Sequence, residues 1–98
     1  MAESQIRLES DKIWHFSGDL SFQTVTSLLQ EAARLQRDNV PEIADLSSVL
    51  RTDSAGLAFL LELMKMTQAR GVTLQFRNLP QQLRNIAAIS ELTPLFEE

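Results

Sequence analysis

The segment RTDSAGL, residues 51–57, carries the side chains best suited to chemistry, because Thr52, Asp53 and Ser54 stand together before a long apolar run. A serine nucleophile needs a base within hydrogen-bond reach and an acid that orients the base. The only histidine is His15, inside the strand-like segment KIWHFS. No glycine precedes Ser54 to form a nucleophile elbow. A small serine hydrolase is therefore the weakest hypothesis, and we expect no enzyme.

Paired carboxylates are the second candidate for chemistry. Asp45 and Asp53 flank one predicted loop, and we consider Asp19 as a third acid near it. Two such acids can transfer protons or hold magnesium, but acids in loops more often form caps and turns. The chain has no cysteine, no histidine cluster and no glycine-rich phosphate loop. We therefore expect no bound metal and no cofactor.

Ser54 also fits the start of a helix. As an N-cap, its oxygen would accept a hydrogen bond from the first turn, worth about 1 kcal/mol. The same place offers unpaired N–H groups and partial positive charge, which would accommodate a phosphate on Ser54. Gly56 leaves the first turn without a side chain, so that a partner could approach closely, and Thr52 adds a second hydroxyl. A cap, a phosphate acceptor and a docking loop all remain open from these residues.

Periodicity and turn residues predict the order β-β-α-β-α-β-α, typical of an α/β protein. The first two strands are expected to form a hairpin around Ser10-Asp11, and Ser21 is expected to cap the first helix. Gly71 is expected to close the second helix, and Pro80 to begin the third. The residues after the third helix form an apolar tail that packs on the core or adds a short strand. The predicted strands are 4–9, 12–17, 42–46 and 72–76, and the predicted helices are 21–37, 54–70 and 80–90.

The second predicted helix has two apolar faces. At about 100° per residue, one face carries Leu57, Leu60, Leu61 and Met64, and a nearly opposite face carries a second stripe of Phe59, Leu63 and Met66. Neighbouring elements could cover both stripes, or one stripe could be a partner surface. The sequence leaves both alternatives open.

Size and charge limit the classes of function. Ninety-eight residues suit a single domain, 1–98, with one core. The formal net charge of -4, with Lys and Arg scattered singly, argues against nucleic acid or an anionic membrane as the main partner. No apolar stretch approaches the roughly 20 residues of a membrane span, and the polar start is unlike a signal peptide. We expect no direct membrane insertion.

The stretch DLSSVLRTDSAGLAFLLEL resembles the signature of STAS domains, the family of sulphate-transporter and anti-sigma-factor-antagonist domains. The matching residues begin at Asp45 and continue through Asp53, Ser54, Gly56 and Leu57, and FSGDL at residues 16–20 resembles a second family motif. The resemblance covers nearly the whole chain. It implies the STAS fold, with a small mixed sheet of about four strands and three or four helices.

Within that family, GDLSFQTVTSLL and FRNLPQQLRNIAAISEL look most like the MlaB branch. This resemblance implies a non-catalytic cytoplasmic subunit of an ABC-type intermembrane phospholipid transport complex (Mla), which maintains outer-membrane lipid asymmetry. It implies binding to an MlaF-like ABC ATPase subunit, in a complex with a membrane permease at the inner membrane. The implied partner-binding and regulatory residues are Thr52, Asp53, Ser54, Ala55, Gly56, Ala58, Glu62 and Lys65.

The anti-sigma-factor antagonists form the alternative branch. Resemblance of this chain to that branch implies a switch in which a serine kinase phosphorylates Ser54. Antagonists tend to carry a second acidic residue after the leucine of the Gly-Asp-Leu motif, where this chain has Ser21.

Overall fold

A computed structural model describes residues 4–10 and 12–96, which form four strands, three α-helices and one 3₁₀ turn. The sheet order is β1-β2-β3-β4, with β1 antiparallel to β2 and the other neighbours parallel. The predicted element order and mixed four-stranded α/β fold are confirmed. The strands are β1 Gln5–Ser10, β2 Ile13–Leu20, β3 Ile43–Thr52 and β4 Gln75–Arg77; the helices are α1 Val25–Leu35, α2 Ser54–Gln68 and α3 Gln81–Ile89; the 3₁₀ turn is Thr93–Leu95.

The core lies between the sheet and its helices. Side chains alternate along β2, so that Trp14 and Phe16 are buried while His15 between them points to the opposite face. The Phe16 ring meets the α2 residue Phe59 edge-on, with ring centroids 5.8 Å apart. Because parallel crossovers are right-handed and the strand order advances in one direction, α1 and α2 cover the same face of the sheet. The other face carries the polar residues of the strands.

Three strand lengths differ from the predictions. We predicted a second strand over 12–17 that stops at Gly18, but β2 continues through Gly18 to Leu20, where it pairs with the end of β3. We predicted a third strand over 42–46, but β3 continues to Thr52 because it pairs with β2 as far as Leu20. We predicted a fourth strand over 72–76, but only Gln75–Arg77 forms β4, which pairs with the first residues of β3. In all three cases the neighbouring strand decides the length, which the propensity of the segment does not reveal.

The start of α1 also differs from the prediction. The helix begins at Val25 rather than near Ser21, and the prediction that Ser21 caps it is wrong. Instead, residues 21–25 form a turn in which the Thr24 and Val25 N–H groups donate to the Ser21 carbonyl at 2.9 and 3.0 Å. The Ser21 N–H donates to Thr24 Oγ1 at 3.0 Å. The turn leaves Phe22 80% exposed.

The remaining boundaries follow the predicted turn residues. The hairpin of β1 and β2 is confirmed, although Asp11 of its predicted turn lies outside the described residues. Gly71 has a φ of 79° after the end of α2, as its expected closing role requires. Pro80 immediately precedes α3. The tail packs on the core: the ring centroids of Phe96 and Phe76 lie 5.0 Å apart.

Among residues 4–10 and 12–96, none of the helices is long and apolar enough to cross a membrane.

Candidate functional site

The N-terminus of α2 is capped by Asp53, so the prediction that Ser54 is the cap is wrong. Asp53 Oδ1 accepts hydrogen bonds from the N–H groups of Ala55 at 2.9 Å and Gly56 at 3.2 Å. Its Oδ2 accepts from the Phe22 N–H at 3.1 Å. One carboxylate therefore satisfies the first turn of α2 and also fixes the loop before α1 against it.

Ser54 is the first helical residue and is exposed. Because Asp53 does the capping, the Ser54 hydroxyl makes no hydrogen bond to any residue that the structure describes. A hydroxyl that the fold does not use, on a rigid helix start, is accessible to a partner or a modifying enzyme.

Gly56 has a packing role in the interior and is not on the surface that a partner could contact. It is buried, and a Cβ atom built on it would collide with the Leu20 carbonyl oxygen and with Thr52 Oγ1. Gly56 therefore lets the first turn of α2 approach the ends of β2 and β3. The expectation that its missing side chain gives a partner access is wrong.

Thr52 is also part of the interior. Its N–H donates to Gln82 Oε1 on α3 at 3.3 Å, and only 7% of the residue is exposed. Its hydroxyl lies 3.5 Å from the Asp53 carbonyl oxygen, to which it donates. The second hydroxyl expected in the loop is therefore not on its surface.

The outward face of α2 carries the other residues that the family resemblance singled out. Ala58, Glu62 and Lys65 are all exposed, and Glu62 Oε2 lies 3.5 Å from Lys65 Nζ. Ala55 is half-buried beside them. The structure thus places Ser54, Ala58, Glu62 and Lys65 on accessible surface.

An apolar groove of about 610 Å³ runs between α1 and α2, and its lining includes Ala55, the residue after Ser54. The sequence analysis did not identify Phe22 as part of this surface. Phe22 continues the apolar spacing of the predicted first helix, and it therefore resembled a core residue. We call the exposed surface formed by Ser54, Ala58, Glu62 and this groove the α1–α2 surface. The groove is lined by Phe22, Val25, Leu29, Ala33, Ala55, Ala58, Phe59, Glu62 and Met66.

Neighbouring elements cover most of both apolar stripes of α2, while part of the second stripe stays open to the groove. Leu57, Leu60 and Leu63 are buried, and so is Phe59. The remaining stripe residues are partly buried and pack against the core: Leu61, Met64 and Met66. Phe59 and Met66 also reach the groove, so the second stripe forms part of its floor.

The proposed carboxylate pair is not formed by Asp45 and Asp53. They lie eight positions apart along the extended strand β3 and its end, which corresponds to about 25 Å. Asp19 instead lines a small polar pocket of about 190 Å³ with Asp53, and its Oδ1 lies 4.0 Å from Arg51 Nε. An Asp45–Asp53 magnesium or acid–base site is therefore wrong.

His15 is not placed to activate Ser54. Its ring contacts Ser48, Glu9 and Asp45 on the sheet face turned away from α2. It lies in the central strand β2 rather than at an edge of the sheet. Within the described residues, no Ser–His pair links Ser54 to a base.

The Asp53 cap can be tested by an Asp53→Ala substitution. We expect the free energy of unfolding to fall by about 2 kcal/mol, the upper part of the range for N-caps, because two helix N–H groups and that of Phe22 lose their acceptor. Urea denaturation measures the loss. The control is Asp38→Ala, which removes an exposed aspartate after α1 and should change stability by less than about 0.5 kcal/mol. Equal effects of the two substitutions would contradict the capping role.

Comparison with solved structures identifies the class of fold. The anti-sigma-factor antagonist SpoIIAA in its unphosphorylated form matches with a TM-score of 0.75 at 15% identity, over 96% of this chain and 85% of that one. The Bacillus cell-fate determinant SpoIIAA in the phosphorylated form matches with a TM-score of 0.71 at 17% identity, over 96% and 88%. At these identities the likeness shows the STAS fold alone.

The family follows from the sequence match. Residues 5–97 match the family described as MlaB, STAS domain, and the chain belongs to that family. The search of curated proteins found no match. The family and fold implied by the Asp-Ser-Ala-Gly-Leu motif are thereby confirmed.

Proposed function

We propose that this chain is a non-catalytic subunit that binds the ATPase subunit of an ABC-type intermembrane phospholipid transporter, and that it docks through the α1–α2 surface. The observation that carries the proposal is the unbonded Ser54 hydroxyl beside an apolar groove, in a chain of the MlaB family. The ATPase would hold the chain at the cytoplasmic side of the inner membrane, in a complex with a membrane permease. Binding there supports lipid asymmetry of the outer membrane.

The α1–α2 surface has the composition of a protein interface. Phe22 is 80% exposed at one end of the groove and offers a large aromatic anchor of the kind that dominates binding energy. Small side chains at Ala33, Ala55 and Ala58 leave room for a partner's side chains to enter. Ser54 and Glu62 supply polar groups at the rim, as specific interfaces commonly do.

The fold makes this surface rigid. Asp53 joins the Phe22 loop to the first turn of α2, and Gly56 seats that turn on β2. A preorganised surface loses little conformational entropy on binding. By binding one conformation of the ATPase more tightly than another, the chain would favour that conformation and so support assembly and turnover.

The direct test reconstitutes the complex. The chain is expressed with the ATPase subunit from its own cells, and binding and ATP hydrolysis are measured with the chain and without it. We expect a stable complex with higher ATPase activity. An ATPase that neither binds the chain nor responds to it would overturn the proposal.

A Ser54→Arg variant tests the position of the interface. We expect at least about a tenfold loss of ATPase affinity, because a long charged side chain replaces a small hydroxyl at the interface rim, with stability almost unchanged at this exposed site. The matched control is Ser90→Arg, at an exposed position after α3. Isothermal titration calorimetry measures both. Unchanged affinity of the Ser54→Arg protein would place the interface elsewhere.

The second candidate function is an anti-sigma-factor antagonist switched by phosphorylation of Ser54. The exposed Ser54 hydroxyl at a helix N-terminus favours it, because backbone N–H groups and the helix dipole stabilise a phosphate there. Incubation with ATP and serine kinases from the same cells tests it. Stoichiometric phosphorylation that a Ser54→Ala substitution abolishes would support the switch, and an unmodified protein would exclude it.

A further inference from the structure

The sheet face turned away from the helices carries a row of polar residues, one from each strand. Arg7 pairs with His15, His15 pairs with Asp45, and Asp45 pairs with Arg77, so that the four Cα atoms stand side by side. Alternation along the strands places these side chains opposite the buried Trp14 and its neighbours. The row lies on the opposite face from the α1–α2 surface.

A β-bulge adds Glu9 to this row. The register of β1 and β2 shifts between Leu8 and Ser10, which leaves Glu9 as the extra residue, and bulges often redirect such a side chain. Glu9 Oε1 lies 3.9 Å from His15 Nδ1, and Asp45 Oδ2 lies 3.9 Å from the same nitrogen. One possible ligand atom of each of the three side chains lies within 4.8 Å of the other two.

His15 Nδ1 is buried and has no hydrogen-bond partner among the described residues. The other ring nitrogen, Nε2, is 2.9 Å from Ser48 Oγ, which fixes the orientation of the ring. With Nε2 protonated and donating to Ser48, Nδ1 has a free lone pair, and a carboxylate oxygen of Glu9 and one of Asp45 each lie 3.9 Å from it. This arrangement is the one in which an outer hydrogen bond orients a metal-binding histidine.

Asp45 is held in a similar way. Its Oδ1 accepts from the Ser47 N–H at 2.9 Å and from Asn78 Nδ2 at 3.3 Å, which leaves Oδ2 for another ligand. Burial opposes ionisation of Asp45, but the hydrogen bonds from Ser47 and Asn78 hold its pKa below the ordinary value. Arg77 Nη1 approaches Oδ2 only to 3.8 Å, beyond hydrogen-bond distance.

We propose that Glu9, His15 and Asp45 bind one divalent zinc ion through Oε1, Nδ1 and Oδ2. One imidazole and two carboxylates form a donor set that zinc accepts, with bonds of about 2.1 Å and an open fourth position for water. Tetrahedral bonds of that length separate the ligand atoms by about 3.4 Å, so the two distances of 3.9 Å from His15 Nδ1 each need to close by about half an ångström. Glu9 can supply the movement on its side, because its side chain is 42% exposed. The distance between His15 and Asp45 closes by a small shift of these two more buried side chains.

The ion would join three strands. β1 is an edge strand, and its hydrogen bonds to β2 are interrupted at the bulge beside Glu9. Zinc would connect β1 at this point to β2 and β3, and would therefore stabilise the folded protein by an amount that rises with the logarithm of the ratio of zinc concentration to dissociation constant. This inference does not depend on the proposed function.

The single histidine makes the test direct, because every imidazole resonance belongs to His15. The chelator-treated, ¹⁵N-labelled protein is titrated with zinc chloride, and the two ring nitrogens are followed by NMR. We expect a saturable shift of Nδ1 at one equivalent, with Nε2 still protonated. An imidazole that does not respond to zinc would overturn the proposal and identify the cluster as a network of ion pairs.

Three variants show whether the carboxylates bind the metal. Glu9→Gln and Asp45→Asn should each raise the zinc dissociation constant at least about tenfold, since the loss of even an outer-shell partner has that effect. Glu62→Gln on α2 is the control and should bind zinc like the wild type. If Asp45→Asn fails to fold, Glu9→Gln decides the question, because that side chain is partly exposed. Unchanged affinity of the Glu9→Gln protein would mean adventitious binding by His15 and would overturn the proposal.

Discussion

A Gly56→Ala substitution is expected to lower the free energy of unfolding by about 3 kcal/mol, the upper part of the range for overpacking. The added methyl group would overlap the Leu20 carbonyl oxygen and Thr52 Oγ1. Leu20 and Thr52 pair with each other at the ends of β2 and β3, so the backbone oxygen has little freedom to move. Alanine is the better helix former, and the expected loss therefore runs opposite to helix propensity.

Urea denaturation followed by circular dichroism measures this effect. A loss of about 3 kcal/mol should lower the melting temperature by roughly 15 °C in a domain of this size. The control is Ala58→Ser, which also adds one heavy atom to α2 but on its exposed face, and which should cost at most about 0.5 kcal/mol. Wild-type stability of the Gly56→Ala protein would show that α2 does not approach the strands as closely as described.

An Ala58→Arg substitution is expected to weaken binding of the ATPase subunit at least about 100-fold, or about 2.8 kcal/mol, while the protein stays folded. Ala58 is exposed and lines the α1–α2 groove between Ser54 and Glu62 on successive turns of α2. The arginine side chain would occupy the groove and bring an extra charge into the interface. The small alanine matters because it leaves space for the partner's anchor residues, which the arginine would exclude.

Ala88→Arg provides the matched control, because it is the same substitution at an exposed position of α3. Calorimetric titration with the ATPase gives both affinities, and urea denaturation confirms that both proteins are folded. We expect the control to bind like the wild type. The reverse result, with binding lost only in the Ala88→Arg protein, would move the interface from α2 to α3.

The order of elements was determined by the sequence itself. Apolar spacing along α2, the β-branched and aromatic residues of β2, and the turn residues Gly71 and Pro80 act through local backbone geometry. The motif from Asp45 to Leu57 is likewise a local pattern, and it is sufficient to indicate the family. Predictions from such local patterns hold in the folded protein because they depend only on residues that are adjacent in sequence.

The sequence did not determine which residue caps α2. Asp53 and Ser54 are both good caps, and a difference of one residue in the helix start decides between them. In the structure Asp53 takes this role through local bonds to Ala55 and Gly56. Its second oxygen also accepts from the Phe22 N–H across 31 positions of chain, a contact between two distant loops that adds to the local preference.

Tertiary structure alone decided the roles of Gly56 and of the polar cluster. Gly56 is required where α2 approaches the ends of two strands, and Glu9, His15 and Asp45 meet because three strands align in one register. The α1–α2 groove likewise combines two helices that are far apart in sequence. Spacing along a chain reports which side chains share an element, whereas packing between elements determines which of them come within contact distance.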